Sequence, residues 1–179
     1  EQIQENMNSS VASVETDLLA DWRFNSGEGD ILYDHSGNQN HGTINGATWS
    51  EDAYVPPVPP VPGGNNSLSF DGEDDYVNFG AINNRELNDG SFEFWIKSNA
   101  ESEGNLLLNQ DCDGCEFSTG DWGFNIGNIN NRKVGFWAVN SSGSADLISE
   151  SLNDEEWYYI VGTRNSETGV MRLYVNGFL

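Results

Sequence analysis

The sequence predicts an all-β protein, a sandwich or barrel of short antiparallel strands. Short runs of alternating apolar and polar residues recur along the chain, the periodicity of half-buried strands. Turn residues separate most of these runs, at the regular spacing of a sandwich or barrel. No window long enough for a helix carries a convincing helical period. Twenty glycines, with many Asn, Asp and Ser, supply the turns.

Taken in order, residues 1–17 are polar and aperiodic and read as an N-terminal arm or linker. Residues 18–24 alternate, with Ala20, Trp22 and Phe24 on one side, and predict the first strand. A turn at 25–30 and a short extended piece at 31–33 follow. Residues 34–42 (DHSGNQNHG) hold no apolar residue, so they form a surface loop. Residues 43–49 return to a strand. All five prolines lie in 55–64 (VPPVPPVPGG), which must be extended and excluded from any central strand. It reads as a stiff surface loop, because the part before it is too short for an independent β domain. Further strands are predicted at 67–70, 76–79, 91–97, 105–109, 122–126, 134–140, 145–149, 156–164 and 170–175. Within 91–97, Phe92, Phe94 and Ile96 share one face while Glu93, Trp95 and Lys97 share the other. Val175-Asn176-Gly177 opens a hairpin turn.

The 179 residues suffice for one domain with a packed core. Asp and Glu number 29 against 7 Lys and Arg, a formal charge of −22. That balance disfavours nucleic acid, since a polyanion is repelled and no basic stripe exists. Anionic lipid headgroups are disfavoured for the same reason. No apolar run reaches the length of a membrane span. The two cysteines, Cys112 and Cys115, lie far from His35 and His41 in sequence. Zinc usually takes four ligands, and a redox CxxC sits in a βαβ context. A short loop disulfide in an oxidising compartment is favoured over two free thiols.

Several stretches resemble a known family. They are Trp22-Arg23-Phe24, Gly27-Glu28-Gly29, Asp34-x-Ser36-Gly37-Asn38-x-Asn40-x-Gly42, and the run from Ser67 to Val77 (SLSFDGEDDYV). SFEFWIK (91–97), EWYYIVGT (156–163) and LYVNG (173–177) continue the match in order. Together they are similar to the laminin-G-like, concanavalin A-like domains of bacterial surface proteins, over residues 18–177. The resemblance implies a jelly-roll β-sandwich of two antiparallel sheets, often with calcium at its rim. It implies an extracellular binding or adhesion module that recognises carbohydrate or a cell-surface polymer. Family domains continue past the VNG hairpin, so the domain at 18–179 is expected to be C-terminally incomplete. The alternative expectation is a structural or assembly subunit whose sandwich is completed by strands from another polypeptide.

Calcium takes oxygen ligands from carboxylates, amides and backbone, and three loops are rich in them. The candidates are Asp34 and Asn38 in the first loop, Asp71, Asp74 and Asp75 in the second, and Asp111, Asp113 and Asp121 in the third. The competing role for each is an Asx-turn, in which the carboxylate accepts backbone N–H groups. Sugar binding needs an open aromatic ring, and Trp95, Trp122, Trp137 and Tyr174 are the candidates, against the ordinary role of Trp in a sandwich core. Catalysis is not expected. A retaining glucanase needs paired carboxylates about 5 Å apart. Glu93 is alone on its strand, and consecutive Asp154-Glu155-Glu156 point to alternate faces. Glycoside hydrolysis is therefore the remote alternative. Asn8, Asn65 and Asn140 stand in Asn-x-Ser sequons, which matter only in a glycosylating source.

Overall fold

A computed structural model describes residues 17–54, 66–80, 89–98, 104–109, 122–126, 133–140, 143–153, 155–165 and 167–179. Every regular element among them is a strand, and every pairing is antiparallel. The arm at 1–16, the proline-rich loop and the 110–121 loop lie outside the described residues. The strands fall into two compact units, one before residue 84 and one from it onward.

The first unit holds β1 (Ile31–Leu32), β2 (Gly42–Asn45), β3 (Thr48–Ser50), β4 (Ser67–Ser69) and β5 (Tyr76–Asn78). One sheet has the order β1-β2-β5, and β3 pairs with β4 separately. Alternation assigns the faces. Leu32 and Ile44 are buried, while Ile31 and Thr43 are exposed. Gly42 shares the buried side, where an added Cβ would strike the Phe79 ring and Val77 Cγ1. Trp22 packs on Phe79 in a tilted pair with ring centroids 4.0 Å apart, and its Nε1–H donates to the Asn40 carbonyl at 2.8 Å.

Residues 18–24 do not form the expected strand. Only Trp22 bridges, to Asp34, and Phe24 has a φ of 52°. Side-chain amides replace a neighbouring strand as donors here. Asn38 Nδ2 donates to the Leu18 carbonyl, and Asn40 Nδ2 to that of Leu19, each at 2.8 Å. The strand expected at 43–49 is also broken, because Gly46 at φ 79° separates β2 from β3.

The second unit is built from β6 (Gly90–Lys97), β7 (Gly104–Asn109), β8 (Trp122–Ile126), β9 (Val134–Asn140), β10 (Gly143–Ile148), β11 (Trp157–Arg164) and β12 (Met171–Val175). These make two sheets, β10-β9-β8-β7 and β12-β11-β6. Their apolar faces meet in one core. The first sheet supplies Trp122, Phe124, Val134, Phe136 and Ala138; the second supplies Ile160 and Leu173, edged by Phe92, Phe94 and Ile96. Phe124 and Phe136 are fully buried and stack with centroids 4.6 Å apart. This is a β-sandwich, in which two half-apolar sheets bury each other's inner faces. Gly162 permits the close approach, since a Cβ there would run into the Phe124 ring. The chain turns at Asn176-Gly177, both at positive φ, with Val175 and Phe178 exchanging backbone hydrogen bonds of 2.9 and 3.0 Å. Positive φ at both central residues marks the hairpin turn that the Asn-Gly pair favours.

Candidate functional site

The loop between β4 and β5 carries DGEDD at 71–75 and belongs to the first unit. It is a tight turn held by its own carboxylates. The Asp71 N–H donates to Asp75 Oδ2 at 2.9 Å, and the Glu73 N–H to Asp71 Oδ1 at 2.8 Å. Gly72 takes a φ of 81° at the bend. One carboxylate oxygen from each of Asp71, Asp74 and Asp75 lies within 4.8 Å of the others. Two oxygens on one calcium ion stand at most about 5.2 Å apart, twice the longest Ca–O bond. The trio is therefore near the spacing of ligands that share a single hard cation, which makes the loop a candidate cation site. Asp71 and Asp74 are exposed and Asp75 is half-buried, which leaves room for water to complete a shell. Phe70 and Tyr76, immediately flanking the loop, are 50% and 54% exposed.

Asp34 and Asn38 are placed differently. Asp34 is buried and accepts four hydrogen bonds. Oδ1 takes the N–H of Asp21 (2.9 Å) and of Ser36 (2.8 Å); Oδ2 takes the Ser36 hydroxyl (2.8 Å) and the Asn40 N–H (2.9 Å). An ionised carboxylate has about four lone-pair sites, so the chain's own donors occupy them all. Burial alone would raise the carboxyl's pKa, but these hydrogen bonds outweigh it and hold it below the ordinary value. Asp34 thus staples the 34–42 loop. Asn38 spends its amide on the Leu18 and Leu19 carbonyls. Asp111, Asp113 and Asp121, with Cys112 and Cys115, lie outside the described residues.

The four aromatic candidates separate by burial. Trp122 is 6% exposed and sits in the core against Phe92, with centroids 4.1 Å apart. Trp137 is likewise buried. A sugar needs an open ring face, which neither offers. Trp95 and Tyr174 are half-buried, on the side of β6, β11 and β12 that points away from the core. Trp157 and Tyr159 share that side. Trp95 packs on Tyr159 at 5.2 Å, and Lys97 Nζ lies 5.7 Å from the Trp157 ring centroid. The Tyr159 hydroxyl donates to Glu93 Oε2 at 2.5 Å. Burial first, and the Glu93 carboxylate second, push the Tyr159 pKa far above the ordinary phenol value.

Sequence reasoning passed over a recess of about 520 Å³ lined by Ser26, Glu28, Gly29 and Tyr33. Its signal was available, because Ile31 and Tyr33 alternate with buried Leu32 and so must share the open face. Among the described residues no helix is long and apolar enough to cross a membrane.

No curated protein and no solved structure matches the chain. A laminin G family model, described as the concanavalin A-like lectin/glucanases superfamily, matches residues 71–179. The match begins at the first aspartate of the DGEDD loop and takes in both sheets of the sandwich. With more than half of the chain matched and the antiparallel two-sheet core in place, this protein belongs to the concanavalin A-like lectin/glucanases superfamily.

Proposed function

We propose that this chain is an extracellular, non-catalytic binding or adhesion module that recognises carbohydrate at a cell surface or in a surface polymer. The observation that carries the reading is the laminin-G-like sandwich itself, since this superfamily commonly binds carbohydrate. Among the described residues, the one strand-borne carboxylate on the aromatic side of β6 and β11 is Glu93, whose cross-strand partner is Val161. Its same-face neighbours on β6 are Ser91 and Trp95, so no second carboxylate stands beside it on either strand, which supports a non-catalytic role, because glycoside cleavage needs a carboxyl pair.

The Asp71, Asp74 and Asp75 trio is the proposed calcium site of the module, where the ion neutralises the carboxylates and rigidifies the loop ahead of Tyr76. The net charge of −22 draws cations to any such cluster. Immobilised polysaccharides test the proposal. Retention on at least one with calcium present, and no release of reducing sugar from it, is the expected result. No retention across a broad panel of neutral and anionic glycans would overturn the carbohydrate reading. Hydrolysis of a retained glycan would overturn the non-catalytic one.

A further inference from the structure

We infer that the open face of the β1-β2-β5 sheet is a platform for a neutral polysaccharide, an inference that rests on the carbohydrate reading and gives it a place and a ligand class. The register lays the face out in rows. Ile31, Thr43 and Asn78 are cross-strand neighbours, and Asn45 faces Tyr76 in the next row. On the other side of Ile31, Tyr33 meets His41 edge-on, with ring centroids 5.4 Å apart. From His41 to Asn45 is four residues of strand, about 13 Å, so the face has the reach of a short oligosaccharide.

The face is solvent-open. Ile31 is 43% exposed, Tyr33 47% and Tyr76 54%, and Thr43 and Asn78 are exposed as well. Its opposite side carries Leu32, Ile44 and Val77, so the outward aromatics are surplus to the core. Exposed aromatic rings among amides and a hydroxyl suit a sugar chain, whose C–H faces stack on rings and whose hydroxyls pair with Asn and Thr. The recess beside Tyr33 adds the Ser26 hydroxyl and the Glu28 carboxylate, acceptors for sugar hydroxyl groups at one end of the platform.

Charge selects the occupant. None of Ile31, Tyr33, Thr43, Asn45, Tyr76 and Asn78 is ionic, in a chain with 29 acidic residues. A basic protein would seek carboxylates, and the rows themselves hold none, Glu28 standing only in the recess at one end. A second copy of the chain, also at −22, is repelled, and an anionic polymer is repelled in the same way. An uncharged glycan meets neither penalty.

Affinity electrophoresis of the whole chain through gels containing hydroxyethyl cellulose, dextran or polygalacturonate tests this. Retardation by at least one neutral polymer and none by polygalacturonate is expected. Tyr33→Ala and Tyr76→Ala should each weaken it about tenfold, one stacking contact's worth. Thr43→Glu, an exposed substitution that leaves the buried side untouched, should weaken it similarly by placing a charge under the sugar. Near-ultraviolet circular dichroism confirms that each variant is folded. Folded variants that all bind like the parent would overturn the platform while leaving the carbohydrate reading intact. Binding to polygalacturonate alone would overturn the charge argument. Binding to none of the three polymers would overturn the platform, and the broader glycan panel then decides the carbohydrate reading separately.

Discussion

Asp75 Oδ1 lies where a Cβ on Gly46 would have to stand. The glycine ending β2 thereby fixes a carboxylate of the proposed calcium trio from the opposite strand. Gly46 is also held at φ 79°, a region that costs an L-residue about 1–2 kcal/mol. Gly46→Ala is therefore expected to lose about 2 kcal/mol of stability, from backbone strain and the displaced Asp75 together. Chemical denaturation measures the loss. The variant should also respond less to calcium than the parent, because its trio is no longer held in place.

Asp34 predicts an acid-sensitive loop. Its folded pKa is depressed below the ordinary 3.8 by hydrogen bonds that outweigh burial. The stabilisation is thus fully present above the unfolded value and lost as pH falls through the folded one. Asp34→Asn turns amide hydrogens toward N–H donors and is expected to cost about 3 kcal/mol at neutral pH. The gap between parent and variant should narrow once the pH drops below about 3.8. A gap that stays constant down to that range would contradict the assignment.

Tyr159 predicts the opposite behaviour in alkali. Its folded pKa is raised, by burial and then by Glu93, above the ordinary 10.0. The contribution is complete below the unfolded value and lost as pH rises past it. Spectrophotometric titration should show one tyrosine that ionises only as the chain unfolds. Tyr159→Phe should cost about 1.5 kcal/mol near neutrality and proportionally less at high pH.

The sandwich core predicts a steric limit at Gly162, whose Cα faces the edge of the Phe124 ring. Gly162→Ala should cost about 2 kcal/mol by overpacking. Pairing it with Phe124→Leu should recover part of that loss in a double-mutant cycle, since the two positions share one space.

Alternation made the strands legible, because period two survives whatever the partner strand is. Phe92, Phe94 and Ile96 fell on the core face as their spacing required. The Asn176-Gly177 turn was equally legible, since few pairs accept positive φ twice. Residues 18–24 misled because alternation reports faces and not partners. Their carbonyls found the Asn38 and Asn40 amides, contacts that no local pattern encodes. Trp122 misled for a related reason. A Trp in a strand looks the same in sequence whether it faces a sugar or a core, and here the Phe92 ring covers it. The DGEDD loop was legible as acidic, but its convergence depends on Gly72 and Gly46 backbone geometry that composition does not reveal.

Calcium titration of the thermal melt addresses the loop directly. An ion that binds only the folded chain stabilises it by mass action, about 2.7 kcal/mol at a hundredfold excess over Kd. The midpoint of the parent should rise with calcium and fall back with excess chelator. Asp74 is the informative position, because it is exposed and accepts no backbone hydrogen bond among the described residues. Asp74→Asn should leave the calcium-free midpoint within about 0.5 kcal/mol of the parent while removing most of the calcium-dependent rise. Asp71→Asn should lower both, since Asp71 Oδ1 also closes the turn on Glu73. If Asp74→Asn keeps the full rise, the ion sits elsewhere and the 71–75 carboxylates are turn-forming groups alone. If the parent melts at one temperature in calcium and in chelator, the acidic surface works only as solvated charge.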